Sequence, residues 1–511
     1  MKSAGGDAGV TNERSAGVSP ARKSRFAAAC ATVLRYLEEI VMRRAFSPGS
    51  FLFVALLLAC SGTPAYAQSQ LPAELQQKID KAASEALAKT GVPSASVAVV
   101  KGAQIAYLHA YGNARLDPST PATPQMRYSI GSISKQFTAT AILLLQEQGK
   151  LSLDDRVSKF IPDLTRANEV TIRQLLSHTS GYQDYWPQDY VMPMMLQPTT
   201  AQKILDGWAR KPLDFDPGTK WQYSNTNYVI AGLIVEKASG QPLLQFLQQK
   251  VFAPLNMKTV ANIDQAKLGD TDPTGYLRYA LGPPRPAPKE GPGWLFAAGE
   301  LAMTAEDLAK WDISIIDQKL LKPASYHDLE TETLLKNGVG TEYGLGVFVR
   351  RDSGHRALSH GGEVSGFTAE STIFPDERVA VVVLTNQDAA GASGAIARGI
   401  APLLLATDDA QTPAKLAQAR KIFEGLQHGT VDRSLFTDNA NFYFNEQALK
   451  DFSGSLGPLG TPEEFTQTFQ SLRGGMQFRL YSIKFPKTKL SAWTYEMPDG
   501  KLEQFLVAAQ D

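Results

Sequence analysis

The sequence is poor in cysteine and has no excess of charge of either sign. Of its 511 residues, only Cys30 and Cys60 are cysteines, which excludes a disulfide-stapled miniprotein. The 51 basic residues balance 51 acidic ones, so nothing favours a nucleic-acid partner and none is expected. A hydrophobic content of 43% is ordinary for a globular chain and excludes a disordered one.

Long apolar runs are scarce as well, and the one near the N-terminus is short. It covers residues 51–60, and two arginines precede it at 43–44. Spanning a bilayer takes about 20 residues, so this run is too short to do so. A small-x-small site follows at 65–67. This order is typical of a secretory signal peptide cleaved before Gln68, and a start at Met42 would give a signal of ordinary length.

Residues 57–60 also fit, less well, a lipoprotein box in which Cys60 would carry a lipid anchor. We therefore expect an exported protein, periplasmic or extracellular, with a lipid-anchored membrane protein as the alternative. Removing residues 1–67 from 511 leaves 444 residues with 43 basic and 47 acidic side chains and no cysteine. Such a chain has no disulfide, no thiolate nucleophile and no zinc–sulfur site.

Composition divides the mature chain into two domains of unequal size. Residues 68–407 alternate strand-like runs with amphipathic helices, and the apolar run 381–384 is typical of a strand buried on both faces. Residues 408–414 are polar and predict a linker. Residues 415–511 predict a small α+β domain with a hairpin turn at 498–500, and they weakly resemble nuclear-transport-factor-like domains.

Several common catalytic signatures are missing. The six histidines show no metal-ligand spacing, and neither a phosphate-binding loop nor a dinucleotide fingerprint occurs. The G-x-S-x-G nucleophile elbow is absent too, which disfavours an α/β-hydrolase. We therefore expect no metal and no organic cofactor.

Ser132-Ile133-Ser134-Lys135 is the first of three motifs that carry chemistry. Residues i and i+3 share a helix face, so Lys135 would place its amine one turn from the Ser132 hydroxyl and activate it as a nucleophile. Gly131 and the apolar run that follows favour a serine at a helix N-terminus, where free amides favour negative charge. By itself, the motif fits a capping serine and a surface lysine better.

Tyr223-Ser224-Asn225 is the second motif. A cationic lysine nearby would lower the pKa of Tyr223 from about 10 and make it a general base. Asn225 would donate to a substrate carbonyl and orient Lys135. The same Y-x-N pattern recurs at 111–113 and 443–445, but only Tyr223 follows a Pro-Gly turn and opens an apolar helix. The alternative is a capping cluster with Tyr223 in the core.

His360-Gly361-Gly362-Glu363 is the third motif and precedes a strand. The two glycines would let a substrate lie against the strand edge, with Gly362 in contact with it. The backbone N–H groups of Glu363 and Ser132 would form the two halves of an oxyanion hole. The alternative is a glycine-rich hairpin with a solvated histidine.

Together, the three motifs resemble those of the serine β-lactamase and penicillin-binding-protein superfamily, on its class C branch. Relatives there include D,D-peptidases, D-aminopeptidases and β-lactamase-like esterases. S-x-x-K, Y-x-N and H-x-G stand in the family's order, and the resemblance covers residues 73–405, with further similar segments at 172–182, 343–347 and 358–367. It implies an α+β fold: a five-stranded antiparallel sheet flanked by helices, beside a helical subdomain, with the site in the crevice between them.

The resemblance also implies roles for the motif residues. Ser132 would be the acylated nucleophile, and Lys135 and Tyr223 would share proton transfer. Asn225 would bind the substrate, and His360 would stand in place of the third-motif lysine.

The chain departs from class C β-lactamases at His360, where those enzymes usually carry a lysine that anchors the substrate carboxylate. A histidine with a pKa near 6.5 is mostly neutral at pH 7 and holds an anion less firmly. Efficient β-lactam hydrolysis is therefore less expected than peptide or ester cleavage. His178 belongs to a segment that the family uses structurally, and no catalytic role is assigned to it.

The sequence therefore predicts an exported serine hydrolase that acts through an acyl-enzyme on an amide or ester. Its substrate would be a small molecule or a peptidoglycan-like peptide: a D-amino-acid peptide, a carboxylic ester or a β-lactam. The alternative from another class is a penicillin-binding sensor with little or no turnover, which works through its C-terminal domain. The sequence leaves the oligomeric state open.

Overall fold

The computed structural model describes residues 71–352, 354–405 and 412–510. The predicted signal peptide, its cleavage site before Gln68, the start at Met42 and the lipid-anchor candidate Cys60 lie outside the described residues, as does most of the predicted linker 408–414. Among the helices that are described, none has the length and hydropathy of a membrane span.

The α-helices of the described residues are numbered in chain order. They are α1 (Ala73–Thr90), α2 (Ser134–Glu147), α3 (Ile172–Leu176), α4 (Ala201–Ile204), α5 (Asn225–Ser239), α6 (Leu243–Leu247), α7 (Phe296–Gly299), α8 (Ala305–Ile316), α9 (Pro323–Glu330), α10 (Ala392–Leu405), α11 (Thr412–Gln427), α12 (Asp438–Tyr443) and α13 (Glu446–Leu456). α1 shows the local logic: Ile79, Ala83 and Leu87 recur every four residues and are all buried, and Gly91 ends the helix in the left-handed region.

The strands of the described residues follow the same order. They are β1 (Ser94–Lys101), β2 (Gln104–Leu116), β3 (Ser119–Pro121), β4 (Tyr128–Ser129), β5 (Ala261–Asn262), β6 (Tyr276–Leu277), β7 (Arg285–Pro286), β8 (Leu301–Met303), β9 (Phe348–Asp352), β10 (His355–Val364), β11 (Phe367–Phe374), β12 (Val379–Thr385), β13 (Glu464–Arg473), β14 (Met476–Lys484), β15 (Lys489–Glu496) and β16 (Leu502–Ala509).

The main sheet is antiparallel and runs in the order β3-β2-β1-β12-β11-β10-β9. Five long strands, from β2 to β10, form its centre, as the resemblance implies. The sheet has seven strands rather than five because the short β3 pairs with the end of β2 and β9 pairs with the first half of β10. The α+β class is confirmed.

The central strand β12 is buried on both faces, as its unbroken apolar run predicts. Val381 and Val383 face a core shared with α1 and α10, whereas Val382 and Leu384 face a core shared with α2 and α8. Helices therefore cover both faces of the sheet. Along the sequence, the chain leaves the sheet after β3 and returns to it with β9. The helices α2 to α9 are in the segment that connects these two strands.

The C-terminal elements form a sheet of their own, in the order β13-β14-β15-β16. α11, α12 and α13 pack on one of its faces around a core that includes Phe423, Phe465 and Phe505. The predicted hairpin turn at 498–500 joins β15 and β16. α11 includes the last three residues of the predicted linker, since Pro413 fits the first turn of a helix.

Candidate active site

Ser132 lies in a short 3-10 turn, Gly131–Ile133, that runs directly into α2. The apolar side of α2 is buried, so the turn is fixed to the core, while Ser132 is partly exposed and lines a cleft. Gly131 has a φ of 49°, and a Cβ atom there would lie 2.6 Å from the backbone nitrogen of Glu363. The turn that carries the serine therefore needs glycine where it meets β10.

Lys135 is fully buried on the first turn of α2, which excludes the surface-lysine alternative. Its Nζ lies 2.9 Å from Ser132 Oγ, 2.8 Å from Asn225 Oδ1 and 2.9 Å from the carbonyl oxygen of Ala298. Burial lowers the pKa of Lys135 to about 7, against the opposing negative charge of Asp184. Near neutral pH the amine is present in both forms, and the neutral form can accept a proton from Ser132.

Tyr223 lies just before α5 and lines the cleft with Ser132, whose side chain is close enough to affect the pKa of its hydroxyl. Lys135 Nζ lies 4.9 Å from the centre of its ring. The expectation that the lysine lowers the pKa of Tyr223 is wrong. Burial raises that pKa, and the negative charge of Asp184 raises it further, while the nearby Ser132 side chain only partly opposes the shift. The phenol is therefore neutral and can donate a proton.

Asn225 begins α5, and its amide is held between Lys135 and Asp184. Its Oδ1 accepts from Lys135 Nζ, its Nδ2 lies 3.3 Å from Asp184 Oδ2, and its backbone N–H donates to Asp184 Oδ1 at 3.0 Å. These contacts settle which way the amide points. Sequence reasoning missed Asp184, because a single aspartate in the segment that follows Tyr182 matches no motif.

His360 is buried and uses both ring nitrogens within the protein. Nδ1 lies 2.5 Å from the carbonyl oxygen of Gly361, so it carries the proton and donates it. Nε2 then accepts from the hydroxyl of Tyr343 at 2.9 Å. Burial and the nearby Lys135 lower the pKa of His360 to about 3, so the ring is neutral, as expected. It lines the cleft, but neither nitrogen is free to hold a substrate carboxylate, contrary to the expected replacement of a lysine.

The strand edge that follows His360 packs directly against the serine turn. β9 pairs with β10 only as far as Ser359, so among the described residues this edge has no strand partner on that side. A Cβ atom on Gly362 would lie 1.9 Å from the carbonyl oxygen of Ile130 and 3.2 Å from the backbone nitrogen of Ser132. The backbone nitrogens of Ser132 and Glu363 therefore both lie where the serine turn meets β10, and the oxyanion hole that they would form stays a prediction.

The cleft above Ser132 has a volume of about 650 Å³, and five acidic side chains are among the residues that line it: Asp184, Asp189, Glu363, Glu370 and Asp388. The whole segment 184–191 lines the cleft, and Glu363 and Asp388 line it as well. Burial raises the pKa of Glu363, and the negative charges of Asp189 and Asp388 raise it further. Among the described residues that line the cleft, Arg398 is the only cation.

The other Y-x-N tripeptides lie elsewhere. Tyr111 is on β2, where its hydroxyl donates to Asp80 at 2.8 Å, and Tyr443 ends α12 in the C-terminal domain. Of the six histidines, only His360 lines the cleft, and no group of metal-ligating side chains is found among the described residues.

Comparison with known proteins agrees with this geometry. The profile of the β-lactamase family matches residues 79–404, which is more than half of the sequence. This chain belongs to the β-lactamase family. It is accordingly a serine hydrolase of that family, and the resemblance inferred from its motifs is confirmed.

Two curated relatives show how much of this chain is similar to known proteins. Penicillin-binding protein 4* of Bacillus subtilis (strain 168) is 27% identical over 319 residues, which cover 57% of this chain and 68% of that protein. The D-aminopeptidase of Brucella anthropi is 30% identical over 298 residues, which cover 58% of this chain and 56% of that protein. The match with this chain thus spans little more than half the length of the D-aminopeptidase.

Solved structures agree with the fold. A D-stereospecific amidohydrolase from Streptomyces sp. is 26% identical with a TM-score of 0.55, over 63% of this chain and 96% of that one. The octameric penicillin-binding protein homologue from Pyrococcus abyssi is 21% identical with a TM-score of 0.57, over 84% of this chain and 99% of that one. The second likeness concerns the fold alone. Its span is longer than residues 71–405, so it extends into the C-terminal domain.

Proposed function

We propose that this β-lactamase-family hydrolase is acylated on Ser132 by amide or ester substrates. The observation that carries the proposal is the 2.9 Å contact between Lys135 Nζ and Ser132 Oγ, at an amine whose pKa burial brings to about 7. Neutral Lys135 takes the hydroxyl proton as Ser132 Oγ forms a bond with the substrate's carbonyl carbon. The backbone N–H groups of Ser132 and Glu363 then stabilise the negative charge on the carbonyl oxygen.

Tyr223 completes the proton path in this proposal. Its raised pKa keeps the phenol protonated, so the phenol has a proton to give to the leaving nitrogen or oxygen as the bond to the carbonyl carbon breaks, and it regains a proton from Lys135. Water then attacks the acyl carbon and gives a proton to Lys135. The bond between that carbon and Ser132 breaks, and Ser132 regains its proton from Lys135.

The acidic side chains that line the cleft favour substrates that carry a free ammonium group close to the scissile carbonyl. Asp189, Glu363 and Asp388 would attract such a group and repel a carboxylate. The names of the relatives, a D-aminopeptidase and a D-stereospecific amidohydrolase, point to D-amino-acid amides or peptides, which include fragments of peptidoglycan-like peptides. We therefore propose D-amino-acid amides and peptides as the substrates, ahead of esters and β-lactams.

The test labels the purified protein with a fluorescent fluorophosphonate. We expect one label per chain, and none in Ser132→Ala. Turnover is then compared for the p-nitroanilide of D-alanine, its N-acetyl derivative and the β-lactam nitrocefin, in that expected order of kcat/KM. Absence of labelling would overturn the acyl-enzyme proposal. Labelling without turnover of any of the three would favour the penicillin-binding sensor instead.

Export is a separate proposal and rests on the signal-like residues 43–67. Expression of the full chain in a Gram-negative host should yield a periplasmic protein that begins at Gln68, as read from its intact mass. A mass that includes a lipid at Cys60, lost in Cys60→Ala, would favour the anchored alternative. A cytoplasmic protein of full length would overturn both.

A further inference from the structure

His178 is a buried residue that the acyl-transfer scheme does not use. It follows α3 and lies in the left-handed region with a φ of 58°. That region is uncommon for residues other than glycine, and such conformations persist where the surrounding structure fixes them. The carbonyl oxygen and the ring Nδ1 of His178 both bond to the segment that carries Tyr223.

The main chain and ring of His178 hold the residues on both sides of Tyr223. The His178 carbonyl oxygen accepts the N–H of Gln222 at 3.0 Å. Its ring Nδ1 accepts the N–H of Ser224 at 3.2 Å and lies 3.4 Å from Asn227 Nδ2. One residue thus binds the backbone N–H groups of both residues that flank the tyrosine.

The ring of His178 also packs on the ring of Tyr223. The two centres are 4.2 Å apart at an angle of 33°. Tyr228 and Tyr343 border the histidine on other sides, at 5.3 and 5.0 Å between ring centres. Tyr223 is therefore held through the N–H groups of its two neighbours and through its own ring.

The charge state of His178 agrees with this contact set. Nδ1 can accept the Ser224 N–H only while it carries no proton, so the ring must be neutral. Burial lowers the pKa of His178 well below its usual range, and the neighbouring Lys135 and His360 lower it further.

We propose that His178 is a positioning residue for Tyr223. The carbonyl oxygen, the ring Nδ1 and the ring face of His178 together hold the tyrosine so that its hydroxyl is directed toward Ser132. This inference rests on the proposed function. The reaction needs the phenol within hydrogen-bond reach of the reacting atoms, and a displacement of about 1 Å can cost about 100-fold in rate.

Three variants separate the contacts. His178→Asn keeps an acceptor near the Nδ1 position and tolerates the left-handed backbone, but it loses the ring. His178→Phe keeps a ring and loses the acceptor. His178→Gly keeps only the backbone conformation. We expect kcat to fall about 10-fold in the first two variants and about 100-fold in the third, with KM within about threefold of wild type. His428 is exposed in the C-terminal domain, so His428→Asn is the matched control and should leave kcat unchanged.

Coupling to Tyr223 separates positioning from a merely structural role. Labelling by the fluorophosphonate gives the number of folded sites, and kcat is expressed per labelled site. In a Tyr223→Phe background, His178→Asn should change kcat by less than about twofold, because the group that it positions is gone. Equal effects of His178→Asn in both backgrounds would overturn the inference, as would an unchanged kcat per labelled site.

The outcomes for the two proposals differ. If wild type is not labelled, the acyl-enzyme proposal fails, and this inference fails with it. If wild type is labelled and turns over substrate but the His178 effects are additive with Tyr223→Phe, this inference fails and the acyl-enzyme proposal stands.

Discussion

The tripeptides at 223–225 and 443–445 share the pattern Y-x-N, yet one lies in the cleft and the other caps a surface helix. Tyr223 lines the cleft together with Ser132, whereas Tyr443 is 47% exposed and packs edge-on against Phe444. Asn225 accepts from a buried lysine, while the Asn445 side chain accepts from the backbone N–H of Ala448 at 3.0 Å and begins α13.

The difference lies in what packs on each tripeptide rather than in the tripeptide itself. Both asparagines stand at a helix start, where asparagine is favoured for its short polar side chain. Only the first is met by a second helix carrying Lys135 and by a carboxylate from a distant loop. The same three residue types therefore give a reaction centre in one region and a helix start in the other.

The largest expected effect comes from removing the amine that only the first region has. Lys135→Met should lower kcat by about 10⁴-fold, the upper end of what a general base contributes. The variant keeps the length and apolar stem of the side chain, so the fold should persist, which circular dichroism would check. Lys450→Met on the exposed face of α13 is the matched control. Retention of a tenth of the activity in Lys135→Met would remove lysine from the mechanism.

The two tyrosines give the sharpest direct comparison. Tyr223→Phe should lower kcat by about 10²- to 10³-fold, because the leaving group loses its proton donor. Tyr443→Phe should stay within about twofold of wild type. Both are measured with the D-alanine p-nitroanilide. Similar rates in the two variants would mean that the position of Tyr223 beside Ser132 has no catalytic meaning.

The pH dependence should follow Lys135. Its pKa is lowered to about 7 and the reaction needs its neutral form, so kcat/KM should fall as pH drops through about 7, by about tenfold per unit below it. The charge of Asp184 opposes this lowering. Asp184→Asn should therefore move the midpoint to lower pH, and a midpoint that moves upward would contradict the assignment.

The smallest effect is expected at the second tripeptide. Asn445→Ala removes the side-chain acceptor at the start of α13 and should cost about 1 kcal/mol of local stability, or roughly fivefold faster amide exchange there. Hydrogen–deuterium exchange measures this, and kcat should be unchanged. A loss of turnover in Asn445→Ala would show that the C-terminal domain takes part in the reaction.

Local patterns predicted much of the fold and the reacting groups. Spacing of three residues places Ser132 and Lys135 on one helix turn, and unbroken valines in β12 mark a strand buried on both faces. The hairpin at 498–500 follows from its turn residues. Each of these features depends on only a few neighbouring residues, so it can be predicted from the sequence alone.

Features that depend on distant partners could not be read in this way. The pKa of Tyr223 is raised rather than lowered because the folded chain removes water from it. Asp184 reaches Asn225 from 41 residues away, and Tyr343 engages His360 from 17 residues away. No local sequence pattern predicts these pairs, because their side chains meet only after the sheet and helices have packed.

The close fit of Gly362 against Ile130 has a consequence for changing what the enzyme accepts. Even one methyl group on that glycine would push the strand away from the turn that carries the nucleophile, so this position tolerates no larger residue. The segment 184–191 carries no such constraint at Tyr190, which is 67% exposed. Selection for new specificities, in nature or in the laboratory, should therefore accumulate substitutions in that loop and leave the glycine untouched.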